Sequence, residues 1–407
     1  MEQFEIQRLG HQGDGIAPGP VFAPLTLPGE VVSGVRDGAR LSDVRILTPS
    51  PDRVAPPCRH FKSCGGCLLQ HAGDDFVADW KMQVVRAALD AQGLQAAFRP
   101  IQTSPPASRR RAGISARRTK KGATAGFHGR ASGTIIEIPD CQVIHPDLRS
   151  ALAVAERLAI VGASRKAELS VMATRSANGL DIAVTGGKPL NGPLRVALAQ
   201  EAEVAKLARL AWDDEVVATR LPPVQTMGRA QVTPPPGAFL QATEHGQAAL
   251  MAAVTEIVGD AAQAIDLFAG CGTFALPLAE RAEVTAVEGD AAMLDALDKG
   301  WRQAQGLKRV TTQTRDLLRN PLMAQDLTRF EAAVIDPPRA GAQAQVAELA
   351  RSKIPVIALV SCNPVTFARD ARVLVDAGWC LDWVQVVDQF RWSPHVELVA
   401  RLHIPHI

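Results

Sequence analysis

The feature that most limits the fold is a unit repeated through the last third of the 407 residues: a short apolar run, an acid at or near its end, a turn, then helical periodicity. Ala264-Ile265-Asp266-Leu267-Phe268 leads into the turn Ala269-Gly270-Cys271-Gly272-Thr273. Thr285-Ala286-Val287-Glu288 precedes a helical stretch through Met293 and Leu297, and Ala332 to Ile335 runs into Asp336-Pro337-Pro338-Arg339. Strands separated by helices join as parallel neighbours, so a doubly wound α/β sheet is expected over 238–407. In such a sheet the polar groups at the carboxyl ends of the strands face the ligand crevice. A further apolar run, Ile354 to Val360, ends in Ser361-Cys362-Asn363-Pro364 and brings a thiol to that edge. Alone, Cys362 reads as a small core residue; beside a ligand crevice it is a candidate nucleophile.

The turn after the first strand is not the dinucleotide G-x-G-x-x-G. It is shorter and preceded by an acid, whereas a pyrophosphate needs the open N–H groups of a helix start. S-adenosylmethionine carries no phosphate. It needs close backbone approach, here at Gly270 and Gly272, and an acid for the ribose hydroxyls. Glu288 suits the ribose and Asp316, in Thr314-Arg315-Asp316-Leu317, the adenine edge. The ordered set Asp266–Gly272, Glu288, Asp316 and Asp336 therefore favours S-adenosylmethionine over a nicotinamide cofactor.

A methyl donor and a nucleophilic cysteine on one edge suggest a particular chemistry. C5 of uracil is too weak a nucleophile to take a methyl group directly. Thiolate addition at C6 makes C5 an enolate carbon, which attacks the sulfonium methyl; a base then removes the C5 proton so that the thiolate can leave. The candidate base is Glu397, in Pro394-His395-Val396-Glu397, on or just before the last strand. A base stacked in RNA must also be exposed, at a cost of a few kcal/mol that a structured loop lowers.

The first 50 residues differ in kind. Glu5 to Leu9 and Val31 to Val35 look like strands, with turns at Gly10, Gly13, Gly15, Gly19 and Pro28-Gly29. This is a small β-barrel pattern of the oligonucleotide-binding type. Gly13-Asp14-Gly15-Ile16-Ala17 and Leu27-Pro28-Gly29-Glu30-Val31 resemble the TRAM domain, an RNA-binding barrel. Pro49-Ser50-Pro51 and Pro56-Pro57 read as a stiff linker. A central α+β domain is expected over 56–235, ending at Pro234-Pro235-Pro236-Gly237, with the helix over 76–92 packing on the catalytic domain.

Within the central segment, Cys58, Cys64 and Cys67 form C-x5-C-x2-C, with Gly65-Gly66 in the second gap. Three thiolates so close need a compensating cation, and Cys141 is the available fourth ligand. Four cysteine ligands suit zinc or an iron–sulfur cluster. Zinc sites commonly come as two short pairs, which this chain lacks, so three ligands together and one remote favour [4Fe–4S] over zinc or a redox disulfide. Arg109-Arg110-Arg111, Arg117-Arg118 and Lys120-Lys121 place seven cations in thirteen residues without an acid, a run that suits phosphate contact or a solvated hairpin.

The chain resembles the RNA uracil-C5 methyltransferases that carry a TRAM domain and an iron–sulfur cluster, over nearly its whole length. The resemblance implies Cys362 as nucleophile, Glu397 as base, and Asp336 and Gln241 (in Phe239-Leu240-Gln241) in the catalytic pocket. It implies cofactor contacts from Gln241, Phe268, Gly270, Gly272, Thr273, Glu288, Asp316 and Asp336, and cluster ligation by Cys58, Cys64, Cys67 and Cys141. Thr273 and Thr243 depart from the family, which often has Asn at each. The iron–sulfur ligands tilt the expected substrate to 23S ribosomal RNA, with the T-loop of tRNA as the rival; a noncatalytic RNA-binding protein is the reading from another class. Arg339 in place of a second cysteine speaks against a cytosine-C5 enzyme. Cys271 and Cys380 are expected to be structural.

Net charge is only +2, so strong nonspecific nucleic-acid binding is not expected. No apolar run approaches the roughly 18 residues of a membrane span, and Met1 to Glu5 has no secretion-signal character. A cytoplasmic monomer without a membrane partner is the expectation.

Overall fold

The computed structural model describes residues 2–405. Three sheets and a two-stranded ribbon (Gln225–Met227 with Ala230–Val232) carry the chain. The N-terminal sheet has six strands in the order Glu2–Glu5, Val31–Asp37, Arg40–Thr48, Val21–Ala23, Gly15–Ala17, Arg8–Leu9, curled as a half-barrel around Ile6, Ala17, Val21, Val32 and Leu41. The strand expected over Glu5–Leu9 is divided in two. At Ile6 the chain leaves one neighbour for another: Ile6 N–H donates to Glu30 O at 2.9 Å and Gln7 N–H to Ile16 O at 2.9 Å. Glu30 is fully buried yet well supplied with donors. Burial alone would raise its carboxyl, but Arg53 and the N–H groups of Leu27 and Ser50 more than offset this and hold it low. Arg53 thereby ties the barrel to the linker.

The second sheet has seven strands, in the order Ile135–Ile136, Ala123–His128, Arg111–Arg118, Glu168–Ser176, Gly179–Thr185, Arg209–Trp212, Glu215–Thr219. Helices Ser150–Gly162 and Gly192–Val204 cover it through Leu158, Leu198 and their neighbours. The cationic run is divided by this sheet. Arg110 is buried and Arg109 and Arg111 partly so, while Lys120 and Lys121 stand exposed at the hairpin tip.

The third sheet has nine strands, labelled here in chain order: β1 (Ala97–Phe98), β2 (Gln102–Thr103), β3 (Gln263–Leu267), β4 (Glu283–Glu288), β5 (Val310–Thr314), β6 (Ala332–Ile335), β7 (Val356–Ser361), β8 (Cys380–Asp388) and β9 (Glu397–His403). The order is β5-β4-β3-β6-β7-β9-β8-β1, with β2 also on β8. Strands β3 to β7 are parallel, as helix-linked apolar runs require, and β9 enters antiparallel between β7 and β8. Because Ser361 pairs with Leu398, the exit of β7 and the start of β9 meet at one edge.

Four helices are labelled α1 (Asp74–Asp90), α2 (Glu244–Val258), α3 (Ala291–Gln303) and α4 (Pro364–Asp376). Helix α1 presents Val85 and Leu89 to the same core as Ile357, Phe367 and Leu374 of β7 and α4. With β1 and β2 it makes residues 74–103 part of the nine-stranded layer rather than of the seven-stranded one. No helix among the described residues is long and apolar enough to cross a membrane.

Candidate active site

At the carboxyl edge of β3, β4, β6 and β7 lies a cavity of about 580 Å³. Its walls include Gln241, Phe268, Gly270, Thr273, Glu288, Asp316, Asp336, Cys362 and Glu397. Each arrives by a short local device. The β3 turn is shaped by positive φ at Phe268 (64°), Gly270 (54°) and Gly272 (94°). Glu288, ending β4, braces that turn from the side: Oε2 accepts from Gly270 N–H at 3.0 Å, and Oε1 from Gly289 N–H at 2.6 Å. Asp316 accepts from Leu318 N–H at 3.0 Å. Gly272 is not on the cavity wall. Its role is packing, because a Cβ there would lie 2.8–2.9 Å from Leu276 and Leu297. Asp266 also lies outside the cavity, below the turn, where Oδ2 accepts from Ala275 N–H at 2.9 Å.

The reacting end joins one buried group to two half-buried ones. Glu397 is fully buried and Asp336 half-buried on the cavity wall; desolvation pushes Asp336 up to about 7, and burial together with Asp336 pushes Glu397 well above the usual carboxylate range. Cys362 is pushed up to about 11, by burial first and then by Glu397 and Asp336, with Arg339 acting in the opposite sense. Gln241 Nε2 donates to Asp336 Oδ2 at 3.3 Å. Asn363 caps α4, accepting from Val365 N–H at 3.1 Å, and its Nδ2 donates to Arg339 O at 2.9 Å. The Cys362 loop is therefore stitched to the Asp336-Pro337-Pro338-Arg339 loop. Thr243, left without a role by sequence, is the N-cap of α2: its Oγ1 accepts from Gly246 N–H at 2.8 Å and meets Ser104 Oγ at 2.8 Å.

Three residues of this region carry no motif signal. Gln389 lies between Gln241 and Glu397. Gly246 faces Gln389 from α2. Arg110, read only as part of a cationic run, donates through Nε to Gln241 O at 3.0 Å and through its backbone N–H to Ala242 O at 2.9 Å. Residue spacing cannot reveal such partners, since the first and last are more than a hundred positions from Gln241.

The four cysteines predicted as ligands line one small second cavity of about 40 Å³, with Gln70 and Arg109. All four are free thiols. The sulfur of Cys64 accepts from Gly66 N–H at 3.4 Å, and Cβ atoms at Gly65 and Gly66 would stand 3.0 and 3.1 Å from His128 O and the Phe127 ring. The two glycines thus let the cysteine loop lie against the Ala123–His128 strand. Among the described residues no three His, Cys, Asp or Glu side chains are grouped as a single metal ion would need them. Cys271 lines the larger cavity, where burial pushes its thiol up to about 12, and Cys380 is exposed at the start of β8.

A doubly wound sheet whose first Gly turn, acid-tipped second strand and deep cavity lie on one edge defines a methyltransferase that uses S-adenosylmethionine. Residues 205–403 match the family model described as tRNA (Uracil-5-)-methyltransferase. An RNA methyltransferase of Brucella suis biovar 1, itself uncharacterized, is 42% identical over 403 residues, covering 98% of this chain and 97% of the relative. The 23S rRNA (uracil(1939)-C(5))-methyltransferase RlmD of Halomonas elongata is 33% identical over 445 residues, covering 99% and 89%. In overall fold, the Pyrococcus abyssi tRNA (uracil-54, C5)-methyltransferase, solved with S-adenosyl-L-homocysteine, superposes with a TM-score of 0.73 at 22% identity over 98% of this chain and 99% of that one. The chain belongs to the RNA uracil-C5 methyltransferase family.

Proposed function

We propose that this methyltransferase modifies a uridine of large-subunit ribosomal RNA by covalent catalysis, with Cys362 as nucleophile and Glu397 as base. The observation that carries the mechanism is that Cys362, Glu397, Asp336 and Gln241 open onto the cavity that also holds the Gly270 turn and Glu288. Phe268, Gly270, Thr273, Glu288 and Asp316 bind the methyl donor. Cys362 passes its thiol proton to solvent and Sγ adds to C6; the C5=C6 electron pair moves to C5 and the adjacent C4 carbonyl oxygen, where Gln241 and the protonated form of Asp336 stabilise it. C5 then attacks the sulfonium methyl carbon, breaking the S–CH3 bond and leaving S-adenosylhomocysteine. Glu397 removes the C5 proton; the C–H pair restores the double bond and releases Sγ. The burial of Glu397 serves this last step, because a carboxylate that desolvation has made more basic accepts a proton more readily.

The four cysteines suit a [4Fe–4S] group. They line one small cavity together, and four thiolates are the donor set that holds such a cluster. Such a group would supply a rigid cross-link here; Cys67 precedes Leu68 and Leu69, whose N–H groups donate to Trp392 O at 2.8 and 3.0 Å, beside the segment that carries Glu397. The half-barrel, read as a TRAM domain, and the exposed Lys120-Lys121 tip supply RNA contact. The choice of ribosomal RNA leans on the Halomonas relative, which spans nearly the whole chain.

The test is nucleoside mass spectrometry of separated tRNA and rRNA from cells with and without the gene. Loss of 5-methyluridine from large-subunit rRNA is expected. Loss from tRNA alone would overturn the substrate and keep the chemistry. A Cys362→Ala enzyme that still methylates at the normal rate would sink the covalent mechanism.

A further inference from the structure

Gln389 follows the end of β8 and is 2% exposed, with its whole side-chain amide engaged. Oε1 accepts from Ala242 N–H at 2.7 Å, while Nε2 donates to Gln241 Oε1 at 2.6 Å and to Glu397 Oε2 at 3.0 Å. A backbone N–H can only donate, so Oε1 must face Ala242, and both amide hydrogens are thereby turned toward Gln241 and Glu397. Two consequences reach the cavity. Gln241 has its carbonyl oxygen occupied, so its own N–H group points to Asp336. Glu397 has one oxygen committed to Gln389, while Oε1 has no partner and is the atom free to take a proton.

The opposite wall has been cut away to admit this side chain. Gly246 sits in the first turn of α2, and a Cβ on it would stand 2.7 Å from Gln389 Cβ, 2.9 Å from Thr243 Oγ1 and 3.0 Å from Gln389 Oε1. Glycine weakens a helix relative to alanine, so its presence in this turn has a packing reason.

We propose that Gln389 is a positioning residue that sets the rotamers of Gln241 and Glu397 together, and that Gly246 provides the space it needs; this rests on the covalent reading above. Gln389 touches no reacting atom. It holds the Glu397 carboxylate so that Oε1 receives the C5 proton as the C5–H pair becomes the C5=C6 bond and the C6–S bond breaks.

The experiment uses full-length Gln389→Met and Gly246→Ala with an RNA substrate, measuring kcat, KM and the fraction of enzyme found as a covalent RNA adduct on denaturing gels. Gln389→Met keeps the length and removes both donors. The expected result is a kcat lower by about a hundredfold, the cost of misplacing a reacting group by an ångström. KM for RNA stays unchanged, and adduct accumulates because release depends on Glu397. Gly246→Ala crowds Gln389 and the Thr243 cap without altering the Gln389 amide, and moves kcat in the same direction, with adduct accumulating as in Gln389→Met, despite a better helix former. Should Gln389→Met fail to fold, Gly246→Ala decides alone. Turnover at the parental rate in the variants, with Cys362-dependent adduct still formed by the parent, overturns the positioning role and leaves the covalent reading intact. Absence of adduct in the parent, with normal turnover by Cys362→Ala, overturns that reading instead.

Discussion

Lys81 of α1 donates to Asp388 Oδ1 at 2.5 Å, with both side chains essentially inaccessible (0% and 2%) and 307 positions apart in sequence. A second hydrogen from Lys81 goes to Phe390 O at 3.1 Å. The pair brackets Gln389 and fastens the loop before Glu397 to a helix from the first quarter of the chain. Removing one partner leaves an uncompensated buried charge. Lys81→Met is expected to destabilise by about 3–5 kcal/mol, and the double variant Lys81→Met/Asp388→Leu to recover most of that. Urea denaturation of the three proteins checks it; equal losses in the single and double variants would refute it.

Asp336 makes stability depend on pH in a definite sense. Its folded pKa, about 7, lies above the ordinary 3.8, so between those values the native state holds a proton that the unfolded chain has lost. Stability therefore falls as pH rises from near 4 through 7. Asp336→Asn should be more stable than the parent at pH 8, by roughly 1–3 kcal/mol, and no more stable near pH 4. Thermal unfolding at the two pH values distinguishes this from a pH-independent change.

Gly272 meets two obstacles to substitution, a φ of 94° and the Leu276 and Leu297 side chains. Gly272→Ala is expected to cost about 1–3 kcal/mol and to weaken S-adenosylmethionine binding as the turn shifts. Isothermal titration and denaturation should move together; unchanged cofactor affinity would mean that the turn tolerates the methyl group.

The divided cationic run predicts two different phenotypes. Lys120→Ala/Lys121→Ala should weaken RNA binding and lower its salt dependence by about two counterions, with no change in stability. Arg110→Ala should instead destabilise the protein, since Arg110 also donates to Gln247 Oε1 at 2.5 Å and lies buried. Filter binding across a salt series, with melting curves, separates the two.

Filling the cysteine cavity with iron and sulfide should protect the Trp392 segment. Hydrogen exchange at Leu68 and Leu69 is expected to slow on anaerobic reconstitution and to recover its former rate in a Cys67→Ser protein. Identical exchange in both proteins would remove the cross-linking role.

The catalytic sheet was legible because parallel strands buried on both faces write themselves as apolar runs, and because Glu288 and Asp336 punctuate their ends. Cys362 and Glu397 could be named, but their meeting depends on β9 entering antiparallel beside β7, which no local pattern encodes. The strand expected over Glu5–Leu9 divides in two, and alternation does not encode where Ile6 changes partners. Gln389 and Gly246 were silent: a buried amide and a helix glycine acquire meaning only from what faces them. Arg110 was legible as charge and not as a buried clamp, because sequence gives the sign of a side chain and not its solvent.

The placement of β1, β2 and α1 beside β8 also sets an order of events during synthesis. Lys81 leaves the ribosome 307 residues ahead of Asp388. At roughly 5–20 residues per second the wait is about 15–60 s. Throughout it, the edge strands have no sheet to join and a lysine destined for the interior remains in water. Residues 74–103 are thus completed by segments made much later, and a nascent protein stalled before β7 and α4 presents the Val85 and Leu89 face of α1 to whatever chaperone attends the exit tunnel.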